Sequence, residues 1–216
     1  MTPDVPLPIT RTIQRGMHAR LVTLRVRERG QGWSWHYDYH WVRGIREARH
    51  DDTYVYTLPY AAGTRREVMQ GWNGWFSHRG DDRYAVDFDL AEGTMVYAAR
   101  GGVVVGVMEE RSEGGTEERL KDLGNFVLVR HVDGTEAEYY HFQQDGVLAE
   151  VGQEVKPGDA LGFSGRVGYT SGPHLHFMVY KAVDGYKRES IPVRFAAVEE
   201  GITSTIRRGR GYTRPK

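Results

Sequence analysis

The chain of 216 residues carries 29 basic and 29 acidic side chains, no cysteine, 39% apolar residues and 27 glycines. The charge balance argues against a nucleic-acid binder, the missing thiols exclude a disulfide framework or thiolate metal site, and no run nears the ~20 apolar residues that span a membrane. The apolar content supports a packed core, glycines beside Val, Tyr and Phe favour a β-rich protein with many turns, and any metal must be held by His, Asp or Glu.

Residues 1–12 have three prolines and no period, which reads as unstructured chain, and residues 1–20 show no apolar stretch of the kind a signal peptide carries. Residues 20–27 begin a strand. The cleanest alternation in the chain follows, from Trp33 to Trp41. Trp33, Trp35, Tyr37, Tyr39 and Trp41 share one face, and His36, Asp38 and His40 the other. Two His and one Asp are metal-binding types, but the pattern is better read as a half-buried strand with aromatic residues in the core. Residues 53–59 make another strand. Residues 1–62 are thus expected to form a small β-rich region, linked through Ala61–Thr64 to a second domain over 63–206.

In that domain a turn-rich segment, Gly71–Trp75, leads to His78. Strands are expected at 84–88, 95–99, 103–108, 126–131, 137–141, 160–163 and 174–180, with a charged insertion at 109–122 that has room for one helical turn near 117–120. Short strands every ten residues or so predict an all-β antiparallel sandwich or open barrel. The last ten residues hold five basic groups and no acid, so 207–216 is read as a solvated basic tail. His18, His50 and His131 are given structural or solvated roles.

His174 and His176, two apart on a strand behind a Gly- and Pro-rich loop, project from one face. Together with His78, Asp87 and His141 they suit a hydrolytic zinc centre. Such a centre takes three protein ligands and keeps a position open for water. There is no His-Glu-x-x-His helix.

Tyr84-Ala85-Val86-Asp87-Phe88, Glu92-Gly93-Thr94, Gly101-Gly102-Val103-Val104, Tyr140-His141-Phe142, Val155-Lys156-Pro157-Gly158-Asp159 and Gly168–Phe177 resemble, in this order, the lysostaphin/LytM type of zinc metallopeptidase. The resemblance covers about 70–195. It implies one Zn2+ per chain held by His78, Asp87 and His176, with His141 and His174 as non-ligand catalytic histidines. One feature departs from the family's short His-x-x-x-Asp form: His78 and Asp87 lie nine apart, and Asp82 occupies the shorter spacing. Asp87 is favoured by its Asp-Phe and Gly-Thr context; Asp89 shares its face but matches no ligand position. The implied activity is an endopeptidase cutting peptide cross-links of bacterial peptidoglycan, of the D-alanyl–diaminopimelate type, in the periplasm or outside the cell. Stem peptides are then the partner, without nucleic acid or a membrane span. The alternative is a non-catalytic regulator of this fold that activates a separate amidase. Such relatives generally lose zinc ligands, whereas this chain keeps all five polar positions.

Overall fold

A computed structural model describes the chain except residues 1, 14–16, 26–29, 31, 33, 35 and 204–205. Its frame is a nine-stranded antiparallel sheet. The strands run in the order Glu154–Val155, Gly102–Met108, Phe126–Arg130, Glu136–Tyr140, Leu175–Ala182, Val86–Phe88, Arg65–Gln70 and Gly211–Thr213, with Arg188–Ser190 also paired to Leu175–Ala182. A second antiparallel sheet joins Phe142–Val147, Ala160–Ser164 and Met95–Tyr97. A third joins Gly201–Thr203, Arg194–Ala197 and Val55–Tyr56. The expected all-β class is what forms, with two short 3-10 turns among the described residues, one of them at Glu118–Leu120 in the charged insertion.

Period-2 alternation sorts the central strands into two faces. Tyr139, Phe177 and Val86 lie side by side across three strands and point into the core, with Val127, Val129, Leu175 and Phe88. Tyr140, His176 and Asp87 are the next row and point the other way.

The core does not respect a boundary at residue 62. Tyr56, Leu58 and Tyr60 are fully buried and belong to the same cluster as Phe88, Phe177 and Phe195. The buried Arg100 guanidinium donates to the Tyr56 hydroxyl at 3.0 Å and to Asp133 at 2.7 Å, and covers the Tyr54 ring at 4.2 Å. Nor is 207–216 a free tail. Gly211–Thr213 pairs with Arg65–Glu67, Tyr212 is fully buried, and the Tyr60 hydroxyl donates to the Tyr212 carbonyl at 2.7 Å. Arg207, Arg208 and Arg210 stay exposed, as the charge run suggests.

Three expectations for the first region need correction. Residues 1–12 contain a strand residue pair, Thr2–Pro3, matched to Leu24–Arg25, and this is all of the 20–27 strand among the described residues. Among its described residues the 33–41 alternation does not become a half-buried strand: residues 36–41 form no strand, and Tyr37, Tyr39 and Trp41 are 63%, 74% and 69% exposed. Trp33 and Trp35 lie outside the described residues. An alternating stretch buries its apolar side only where a sheet offers a vacant face. Here that core face is filled by residues 54–60 and 194–197.

His131 is 3% exposed, its Nδ1–H donates to the Gly101 carbonyl at 2.9 Å, and its Nε2 has no partner. Burial pushes this imidazole down from 6.5 to about 4, because a second proton would sit on a buried nitrogen with no acceptor. Above pH 6.5 the ring is neutral folded or unfolded and adds no pH dependence. Between 6.5 and about 4 only the unfolded chain takes the proton, so stability falls as pH falls, by on the order of 3 kcal/mol across the window. Urea unfolding at pH 7, 5.5 and 4.5 checks this. His131→Gln is expected to flatten the slope, and an equal slope in that variant would assign the acid sensitivity to other groups.

Candidate metal centre

The register of two strands builds the centre of the site. Asp87 lies directly opposite His176 across the Val86–Phe88 and Leu175–Ala182 pair, and opposite Gln70 on its other side, where a bulge separates Val68 from Gln70. His78 arrives from the loop after Gly71–Trp75. His176 Nδ1 is 2.9 Å and His78 Nε2 3.1 Å from the same oxygen, Asp87 Oδ1. The donor atoms of His78, Asp87 and His176 all lie within 4.8 Å of one another.

These donors suit a cation. His78 Nδ1 is 3.0 Å from the Gly71 carbonyl, which can only accept, so that nitrogen holds the proton and the neutral ring turns a lone pair toward Asp87. A lone pair facing a carboxylate oxygen at 3.1 Å is repulsive unless positive charge lies between them. Burial opposes charge on both Asp87 and His176. The hydrogen bond from His176 and its charge outweigh it and hold the Asp87 carboxyl well below the usual carboxylate range. The bond to Asp87 and its charge likewise raise His176. The donor spacings of 2.9 and 3.1 Å also approach the ~3.3 Å edge that tetrahedral zinc imposes with Zn–N near 2.0–2.1 Å.

His141 and His174 stand beside this cluster with ring centroids 4.5 Å apart. His141 Nδ1–H donates to the Val167 carbonyl at 2.8 Å, and His174 Nδ1 lies 3.0 Å from the Gly172 carbonyl and 3.1 Å from Thr170 Oγ1. Both rings therefore keep Nε2 free, and His174 Nε2 is 3.7 Å from Asp87 Oδ1. Burial, then the neighbouring His174, push His141 well below the ordinary histidine range and keep it neutral. Its backbone is left-handed, φ 73°, which is uncommon for a residue with a side chain. Gly165 passes between the two: its N–H donates to the His141 carbonyl at 2.7 Å and its carbonyl accepts the His174 N–H at 3.3 Å. A Cβ on Gly165 would lie 2.5 Å from the Gln143 nitrogen, so only glycine fits this crossing.

All five residues singled out by sequence thus converge. Asp82 does not: it sits in the Gly80–Asp82 turn and accepts from Arg188 at 3.1 Å. Asp89 is exposed, and so are His36, Asp38 and His40; His36 and Asp38 lie 3.4 Å apart, while the His40 ring packs on Tyr186 with centroids 4.2 Å apart. Sequence reasoning missed Gln70. Its Nε2 donates to Asp87 Oδ2 at 3.0 Å and to Ser77 Oγ at 2.9 Å, while its Oε1 accepts the Phe76 N–H at 3.0 Å. No motif marks this residue, and no strand was expected at 65–70.

Residues 81–190, half of the chain, match the model for Peptidase family M23. The chain belongs to peptidase family M23. The M23 match contains Asp87, His141, His174 and His176, and His78 lies three residues before it. Among curated relatives, the chain is similar to an uncharacterized metalloprotease of Haemophilus influenzae, 31% identical over 123 residues, which are 57% of this chain and 23% of that protein. It is also similar to the peptidoglycan DD-endopeptidase ShyA of Vibrio cholerae, 33% identical over 91 residues, 42% of this chain and 18% of the relative. A third is the glycyl-glycine endopeptidase ALE-1 of Staphylococcus capitis, 37% identical over 99 residues, 45% and 24% of the two chains. The chain therefore spans a quarter or less of the length of these three relatives.

Gly74 shows how tightly this M23 site is packed. A Cβ there would lie 2.2 Å from Gln70 Cγ, whereas one on Gly172 meets nothing within 4 Å, and neither glycine has a positive φ. Gly74→Ala is expected to destabilise by about 1–3 kcal/mol, as overpacking does, and Gly172→Ala to be neutral or slightly stabilising. Chemical denaturation of both variants checks the contrast; equal effects would contradict it.

Proposed function

We propose that the chain is a zinc-dependent endopeptidase that hydrolyses peptide cross-links of bacterial peptidoglycan, at D-alanyl–diaminopimelate bonds, in the cell envelope. The observation that carries this reading is the convergence of His78 Nε2, Asp87 Oδ1 and His176 Nδ1, with two free imidazole nitrogens beside them. One zinc ion held by those three atoms would polarise the scissile carbonyl and bring the pKa of water toward ~7. The bond assignment is supported by the DD-endopeptidase relative and by the sequence context of Asp87.

His174 Nε2 is placed to take a proton from the attacking water, because its Nδ1–H is engaged by Gly172 and Thr170. The same proton then goes to the departing amine, which restores the neutral ring. His141 is assigned to orienting the attacking water: its neutral ring, with Nδ1–H held by the Val167 carbonyl, presents an Nε2 lone pair beside His174 that accepts a hydrogen bond from the water's second O–H. Thr170 and the Val167 carbonyl fix the two rings so that neither needs to reorient during the reaction.

The test is mass spectrometry of muropeptides released from purified sacculi by the zinc-loaded protein. Cross-linked dimers are expected to fall to monomers with new D-alanyl carboxyl and diaminopimelate amino ends. Uncut dimers would contradict the enzyme reading and favour a wall-binding regulator. His174→Ala is expected to keep zinc and lose about 100- to 10,000-fold in rate, and His176→Ala to lose zinc. Stoichiometric zinc in His176→Ala would overturn the ligand assignment.

A further inference from the structure

We propose that Gln70 is a positioning residue for the metal centre: it selects which oxygen of Asp87 faces the imidazoles and places the loop that delivers His78. The proposal rests on reading His78, Asp87 and His176 as the ligands. Gln70 is 6% exposed and sits opposite Asp87 in the strand register. Its Nε2–H engages Asp87 Oδ2 at 3.0 Å, leaving Oδ1 as the oxygen shared by His78 and His176. The carboxylate is thereby held to one-oxygen coordination. The other end of the same amide accepts the Phe76 N–H at 3.0 Å and the Ser77 N–H at 3.4 Å, two and one residues before His78. One planar group thus fixes two ligands that lie nine residues apart in sequence. Being neutral, it does so without adding charge beside Asp87. The space it occupies exists because position 74 is glycine.

Packing alone would also hold a loop, so the test separates the amide from its volume. Gln70→Met keeps most of the volume and loses every hydrogen bond; Gln70→Ala loses both. In the full chain, zinc affinity measured by chelator competition is expected to fall about 10- to 100-fold in both variants, the usual cost of removing a group that orients a ligand. With cobalt in place of zinc, the visible absorption is expected to weaken, because a freed Asp87 can offer both oxygens. Turnover on sacculi should fall through kcat more than through KM. Gly74→Ala displaces the Gln70 side chain without altering it and is expected to give the same cobalt spectrum. Wild-type affinity and cobalt spectrum in Gln70→Met would overturn the proposal and leave Gln70 a packing residue. Asp87→Ala serves as the control: if it binds zinc as the wild type does, the ligand reading itself fails, which is a separate result.

Discussion

The site turns on one carboxylate oxygen. Asp87 Oδ1 faces two imidazole nitrogens in a buried setting, and everything around it serves to hold that arrangement. Charges and lone pairs brought together away from water are costly unless compensated. The compensation here is geometric and electrostatic together. Backbone carbonyls take the far nitrogens of His78, His141 and His174, Gln70 takes the second oxygen of Asp87, and the remaining atoms point at a common centre suited to a cation. A shift of one residue between the Asp87 and His176 strands would turn one of them into the core, so the register is as much a part of the site as the side chains.

What holds that register is the opposite face of the same strands. Val86, Phe88, Phe177 and Tyr139 alternate with the site residues and pack against Tyr56, Tyr60 and Phe195. The layer behind the sheet comes from the stretch at 54–60 and the strand at 194–197, far apart in sequence and paired in parallel. This gives the early residues a definite place: those at 54–60 are part of the core behind the strands that carry Asp87 and His176. The left-handed His141 sits where the chain passes from Glu136–Tyr140 of the large sheet to Phe142–Val147 of the second, and its carbonyl there accepts the Gly165 N–H.

Much of this was legible in the sequence because period-2 alternation is a local property. His174 and His176 on one face, with Leu175 and Phe177 on the other, follow from strand geometry alone. Asp87 was favoured over Asp82, which stood at the shorter spacing, by the resemblance of its Asp-Phe and Gly-Thr context to the family's motif. What could not be read depends on pairing. Arg65–Gln70 begins with two arginines and a glutamate and carries no strand pattern, so the role of Gln70 emerges only when Asp87 is set opposite it. Tyr212 lies among arginines and looks like solvated chain until it pairs with Arg66. The 33–41 stretch shows the converse. Its alternation is strong, but a pattern states what a strand could bury, and the core already had other residues in that place.

The most direct test is crystallographic. Anomalous diffraction on either side of the zinc absorption edge, from crystals of the zinc-loaded chain, would locate the ion. The account expects a single peak about 2.0–2.2 Å from His78 Nε2, Asp87 Oδ1 and His176 Nδ1. A peak on Asp82, or one held by His141 and His174, would contradict it.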